Sequence, residues 1–198
     1  MKLKPTFYQQ SDVVEVTKLL LGKSIFTQFN GALTGGIITE VEAYSGRNDK
    51  ACHANNGLRT ARTATMYNAG GCTYIYLCYG IHHMLNIVTN TEGLADAVLI
   101  RAFEPTTGIE QMLERRKQSK LRNSLTAGPG NVGKALGLDF KQHNGLLLTA
   151  DQIWIEDAPK VAEESIISTT RIGVDYAEED ALKPWRFYIK DSKWISKK

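Results

Sequence analysis

Residues 37–44, Ile-Ile-Thr-Glu-Val-Glu-Ala-Tyr, have the composition of an interior β-strand, yet they carry two carboxylates and a phenol ring. Strand side chains alternate between faces. Glu40, Glu42 and Tyr44 therefore share one face, and Thr39, Val41 and Ala43 take the other. An acid on a half-buried strand costs free energy unless it is paired or used. A salt-bridged or solvated pair at a sheet edge is the plain reading, so the rest of the chain has to decide.

The length of 198 residues suits one domain, expected here to span 1–198, and 42% hydrophobic content supplies a sizeable core. No apolar run approaches the roughly 20 residues of a membrane helix. The opening Met1–Tyr8 lacks the apolar stretch of a secretory signal. Cys52, Cys72 and Cys78, an odd number, suggest no disulfide framework. A reducing compartment is expected, the cytoplasm or, in a eukaryote, the nucleus. Net charge is only +3, but it is unevenly spread: 151–180 hold nine acids against Lys160 and Arg171, and 181–198 six bases against Asp191. That asymmetry is compatible with a basic face for phosphates, and equally with ordinary mixed surface charge.

Val13, Val16, Leu19 and Leu20 fall at helical spacing over 11–22, with Ser11 or Asp12 as cap. Strands are expected at 24–29 and 35–44 with Asn30-Gly31 as their turn. The long polar segment 45–71 reads as a functional loop holding His53, Arg59 and Arg62. Strands Thr73–Cys78, Met84–Thr89 and Ala95–Phe103 follow. Thr107-Gly108-Ile109-Glu110 resembles a capping box opening a helix to Arg116, whose basic end Arg115–Lys117 reads as a solvated face. Further strands are expected at about 146–155, 168–174 and 185–190. These elements make one α+β domain: a mainly antiparallel sheet, flanking helices and a protruding hairpin.

Three of the eight tyrosines lie within Tyr74–Tyr79. Tyr74 and Tyr76 share a strand face, whereas Tyr79 falls at the hairpin tip, where a ring is poorly placed for a core and well placed to enter an opened base step. Asn86 lies on the partner strand, where an amide usually satisfies backbone groups. The Cys and His residues show no Cys-x-x-Cys, His-Glu-x-x-His or zinc-deaminase spacing, so no metal is expected. Gly128-Pro129-Gly130-Asn131-Val132-Gly133 satisfies Gly-x-Gly-x-x-Gly but follows a polar basic stretch and not a strand, so it reads as a loop-to-helix turn, with a helix start whose amides meet a phosphate as the alternative. With no Gly-x-Ser-x-Gly elbow or papain-type cysteine signature, Glu40 and Glu42 are the candidates for acid–base work on water.

Taken in order, Glu40–Tyr44, His53, Tyr74–Gly80, Asn86, Leu99–Pro105, Arg171–Val174 and Lys183–Tyr188 resemble the alkyladenine (3-methyladenine) DNA glycosylase family over roughly residues 20–195. The resemblance implies a monofunctional enzyme that removes alkylated purines, and deaminated ones as an extension, from duplex DNA by base flipping and water attack on C1′, initiating base excision repair. It implies Glu42 as general base, with Arg101 and the backbone of Val174 holding the water. Tyr44, His53 and Tyr76 would wall the flipped base, and Asn86 would crowd purines bearing the exocyclic amine of guanine. Tyr79 would fill the gap in the duplex, and Arg59 and Arg62 would meet phosphates. Glu40 is expected to be structural. No cofactor is implied, damaged double-stranded DNA is the partner, no membrane is involved, and a monomer is the default. The loop 54–65 carries fewer arginines than some relatives, and His82-His83 stand where other large residues occur.

Two other functions share these residues. A non-catalytic module that binds flipped or unpaired bases would use the same aromatic cleft but has no need of Glu42. A hydrolase of free nucleosides would use Glu42 but leaves Tyr79 idle. Release of free base from DNA separates the first, and insensitivity to duplex and salt marks the second.

Overall fold

A computed structural model describes residues 1–197. Asp12 caps the first long helix by accepting from the amides of Val14 and Glu15, so the apolar spacing read from the sequence becomes α2 (Val13–Leu20), preceded by a short α1 (Pro5–Tyr8). Strands β1 (Ser24–Phe29) and β2 (Ala32–Tyr44) follow, joined by Asn30 and Gly31, both with positive φ. That is the geometry a two-residue hairpin requires and the reason for Asn-Gly there. β3 (Thr73–Cys78), β4 (His82–Thr89) and β5 (Asp96–Thr107) continue the sheet, and α3 (Ile109–Arg116), α4 (Pro129–Ala135) and α5 (Phe140–His143) pack around it. β6 (Ile153–Glu156), β7 (Ile166–Thr169) and β8 (Arg186–Ile189) complete the described strands. The fold is α+β with an open, mostly antiparallel sheet, as expected.

The sheet runs β3-β4-β5-β2-β1-β6, and β8 joins β2 and carries β7. β2 is its axis: the first half pairs with β1, the second with β8, and β5 lines the other side from Gly35 to Tyr44. Neighbours on both edges bury its backbone, which is why a strand bearing Glu40 and Glu42 is still an interior strand. Three irregularities mark the β2–β5 ladder, one between Gly35 and Gly36 and two around Glu40. Ile38 faces Phe103 and Glu40 faces Ala102, leaving Thr39 without a partner; Val41 then faces Ile100, leaving Arg101 without one. Such extra residues re-aim side chains.

Helix α4 explains the glycine series. A Cβ at Gly133 would stand 1.9 Å from the carbonyl oxygen of His83, and one at Gly130 would meet the His82 ring at 2.6 Å. These glycines let a helix lie on β4, so packing accounts for them. Four expectations need correction. Strand 146–155 shrinks to Ile153–Glu156, because 146–148 turn to meet the Gly71–Thr73 backbone. Strand 168–174 moves to Ile166–Thr169, because residues beyond it turn into a loop at the sheet end. The capping box does not form: Gly108 at the N-cap is left-handed with no side-chain cap. Nor are Arg115 and Arg116 simply solvated, since Arg115 donates to Thr34 and the Ala135 carbonyl, and Arg116 to the carbonyls of Ser124 and Leu125. No described helix is long and apolar enough to cross a membrane.

Candidate active site

The second half of β2 ends at a cavity of about 250 Å³. That is several times the roughly 30 Å³ share of a water molecule, so it admits a planar heterocycle. β3 and β4 supply one wall through Tyr76 and Asn86, the 45–71 loop supplies His53 and Met66, β2 supplies Tyr44 and β5 supplies Arg101. The loop after β7 closes it with Ile172, Gly173 and Val174.

Glu42 is fully buried and does not itself line that cavity. Each of its three partners lines the cavity. The amide of Ile172 donates to Glu42 Oε1 at 2.8 Å, Arg101 Nη1 stands 3.1 Å from the same oxygen, and the Tyr44 hydroxyl donates to Oε2 at 2.7 Å. A carboxylate offers about four acceptor positions, so one remains for a further donor. Glu40 sits on the same strand face, but its oxygens are taken up by Arg101, Arg186 and Ser196. Burial works against the Arg101 charge, yet Glu42 and Glu40 outweigh it and hold its pKa above that of ordinary arginine. Burial, then the neighbouring Glu42 charge, pushes the Tyr44 phenol far above its usual value, so it stays a donor.

The aromatic wall has a fixed protonation state. Arg62 Nη2 lies 3.1 Å from His53 Nε2, and His53 Nδ1 lies 2.9 Å from the Tyr74 hydroxyl. Guanidinium only donates, so Nε2 accepts and the proton of the neutral ring sits on Nδ1. Burial, with the Arg62 charge, draws the His53 pKa down to about 4. The His53 ring stands nearly edge-on to Tyr76, 4.6 Å between centroids. Arg62 also lies over the Tyr76 ring at 4.9 Å, and Arg59 over Tyr67 at 4.1 Å, while both arginines stay exposed. Asn86 is fixed by its amide, which donates to the carbonyls of Tyr74 and Met84. Among the described residues, no group of three or more His, Cys, Asp or Glu side chains is placed to hold a metal ion.

At the mouth, Tyr79 and Gly80 form the β3–β4 turn with φ of +51° and +72°. Tyr79 is 92% exposed. A left-handed tyrosine costs roughly 1 kcal/mol, and no packing of the ring offsets that here. Ile81 beside it is also exposed.

The fold thus brings Arg101, Val174, Tyr44, His53, Tyr76 and Asn86 to one cavity, with Glu42 bonded to three of its lining residues, Tyr79 at its rim and Arg59 and Arg62 on the loop alongside. The sequence reading missed the Ile172 amide, Tyr176 at the cavity edge, and the buried Arg171–Asp49 pair at 2.6 Å. That pair sets the guanidinium of Arg171 4.9 Å from the Tyr44 ring centre. A main-chain donor leaves no side-chain signal, and Asp49 sits 122 residues from Arg171.

The profile of the methylpurine-DNA glycosylase (MPG) family matches residues 6–193. The chain is 48% identical over 196 residues to a Chlamydia felis protein named as a 3-methyladenine DNA glycosylase, covering 98% of this chain and 100% of the relative. It is 42% identical over 207 residues to a like-named protein of Bacillus cereus, covering 100% of each. A third, from Methanocella arvoryzae, is 40% identical over 198 residues, covering 100% of this chain and 98% of its own.

Proposed function

The chain belongs to the methylpurine-DNA glycosylase family, and from that premise we propose how this 3-methyladenine DNA glycosylase works. The damaged nucleotide leaves the duplex and its base enters the cavity among Tyr44, His53 and Tyr76, while Tyr79 occupies the vacated step. A base in the stack hides its glycosidic bond, so extrusion is a condition of the chemistry. Stacking on aromatic side chains returns roughly 1–3 kcal/mol per base, comparable to the few kcal/mol of flipping, so a weakly paired lesion tips the balance. Arg59 and Arg62 meet phosphates beside the loop, and the protein acts as a monomer on duplex DNA.

Glu42 deprotonates water for attack on C1′, and the C1′–N bond breaks with its electron pair leaving on the purine. The observation that carries this is the buried Glu42 carboxylate, held by Ile172, Arg101 and Tyr44, each of which lines the base cavity. Arg101 and the Val174 backbone hold the water. An N-alkylated purine is cationic, which favours electron-rich rings and makes it a ready leaving group. Hypoxanthine, a deaminated purine, is neutral and needs a proton on departure, so it is the slower substrate. Asn86, tied to two carbonyls, cannot move aside and crowds the exocyclic amine of guanine.

The test is free purine released from alkylated duplex DNA without added metal, by wild type and by Glu42→Gln. Release by wild type alone supports the reading. Release by both removes Glu42 from the chemical step, and binding with no release by either leaves a non-catalytic base-binding module.

A further inference from the structure

Every nitrogen of the Arg101 guanidinium has a partner, and only one of those partners belongs to the chemistry. Nη1 lies 3.1 Å from Glu42 Oε1, Nε donates to Glu40 Oε1 at 3.1 Å, and Nη2 donates to Ser196 Oγ at 3.2 Å. Ser196 Oγ in turn donates to Glu40 Oε1 at 2.7 Å, closing a ring through Arg101, Ser196 and Glu40. Glu40 is also bound by Arg186 Nη1 at 2.9 Å and by the Ser196 amide. The last strand and the chain end therefore grip a carboxylate set away from the cavity, since Arg186 and Ser196, which hold Glu40, do not line it, whereas all three partners of Glu42 do.

The tail is itself anchored. Thr39, the unpaired residue of the β2 irregularity, donates to the Trp194 carbonyl, and Arg186 donates to that of Lys197. Ile195 is buried. The Thr39 irregularity thus receives the tail, and the Arg101 irregularity aims a guanidinium at both carboxylates.

We propose that Glu40 and Ser196 are positioning residues for the glycosylase reaction, and that the C-terminal segment Trp194–Lys197 completes the active site by fixing Arg101 against Glu42. The proposal rests on Glu42 being the general base. An arginine held only by Glu42 would be free to swing with its rotamers, and a catalytic contact must be held to a fraction of an ångström. The tail supplies one of the three attachments through Ser196 and braces a second by bonding Glu40. The charges around Glu42 are Glu40 on its own strand, Arg101 on β5, Arg186 on β8 and the Arg171–Asp49 pair behind Tyr44; Tyr44 itself stays neutral.

The experiment uses the full chain on duplex DNA carrying 7-methylguanine, a cationic lesion whose departure needs no proton, so the acid limb of the single-turnover rate reports the base. Ser196→Ala is expected to slow excision about tenfold with unchanged DNA affinity, and to move the acid limb to higher pH as Arg101 loosens from Glu42. Ser196→Thr, which keeps the hydroxyl, restores both. Glu40→Gln keeps the shape and removes a negative charge, so its limb moves the other way. A wild-type rate in Ser196→Ala, or slower excision in both variants with an unmoved limb, overturns the proposal and leaves the cluster a stabilising one. Failure of the underlying reading looks different: Glu42→Gln would then retain excision with the wild-type limb. Should Glu40→Gln fail to fold, the Ser196 pair decides alone.

Discussion

The Tyr44 hydroxyl donates to Glu42 Oε2 at 2.7 Å, so a ring of the base cavity and a buried carboxylate form one unit. Tyr44→Phe keeps the ring and deletes the bond. Excision is expected to slow about tenfold, the worth of one hydrogen bond to a charged group, with little change in binding of lesion DNA. Tyr44→Ala, which removes the ring too, weakens binding as well. Single-turnover rates and equilibrium binding on one lesion duplex separate the effects; equal losses of affinity in both variants would detach the hydroxyl from the chemistry.

Tyr79 is 92% exposed on a left-handed turn. Tyr79→Ala is expected to weaken lesion-duplex binding by roughly 1–3 kcal/mol, the value of one stacked ring, and to leave binding of free 3-methyladenine base unchanged. Its thermal stability should match wild type, because the ring packs on nothing. Titration of both ligands checks this, and parallel weakening of the two argues against insertion.

His53, with its pKa drawn down to about 4 by burial and Arg62, stays neutral in the folded protein as pH falls below neutrality. The unfolded chain takes up that proton near its ordinary value of about 6.5. Stability tied to His53 is therefore intact above that value and declines as pH falls toward the folded pKa. Denaturation midpoints near neutral pH and at about pH 5, inside this window, should fall further for wild type than for His53→Phe, which has no proton to refuse. An equal fall would mean that His53 is charged in the folded state.

Gly133 has no room for a methyl group, since its Cβ would stand 1.9 Å from the His83 carbonyl. Gly133→Ala is expected to lower stability by about 1–3 kcal/mol through overpacking, measured by urea denaturation, while phosphate leaves the melting temperature of the wild type unaltered. Specific stabilisation by phosphate would restore the phosphate-loop reading of this glycine series.

Local physics made much of this protein legible in the chain. Alternation over 37–44 put Glu40, Glu42 and Tyr44 on one face, Asn30-Gly31 gave the hairpin, and Tyr79-Gly80 gave an exposed ring at a turn. Each is a statement about neighbours in sequence, where backbone geometry leaves few choices. The family resemblance rested on residues of this kind, and it collected one cavity's lining from six separate stretches.

The division of labour between the two carboxylates was beyond the sequence, which set them side by side on one face. Tertiary structure separated them: Ile172 and Tyr44 turn Glu42 toward the cavity, whereas Arg186 and Ser196 enclose Glu40 on the far side of Arg101. The ladder irregularity that aims Arg101 exists only once β5 lies beside β2, and Ser196 arrives from 156 residues away. What a buried carboxylate does depends on the charges and donors around it, and those come from chain segments whose proximity only folding creates.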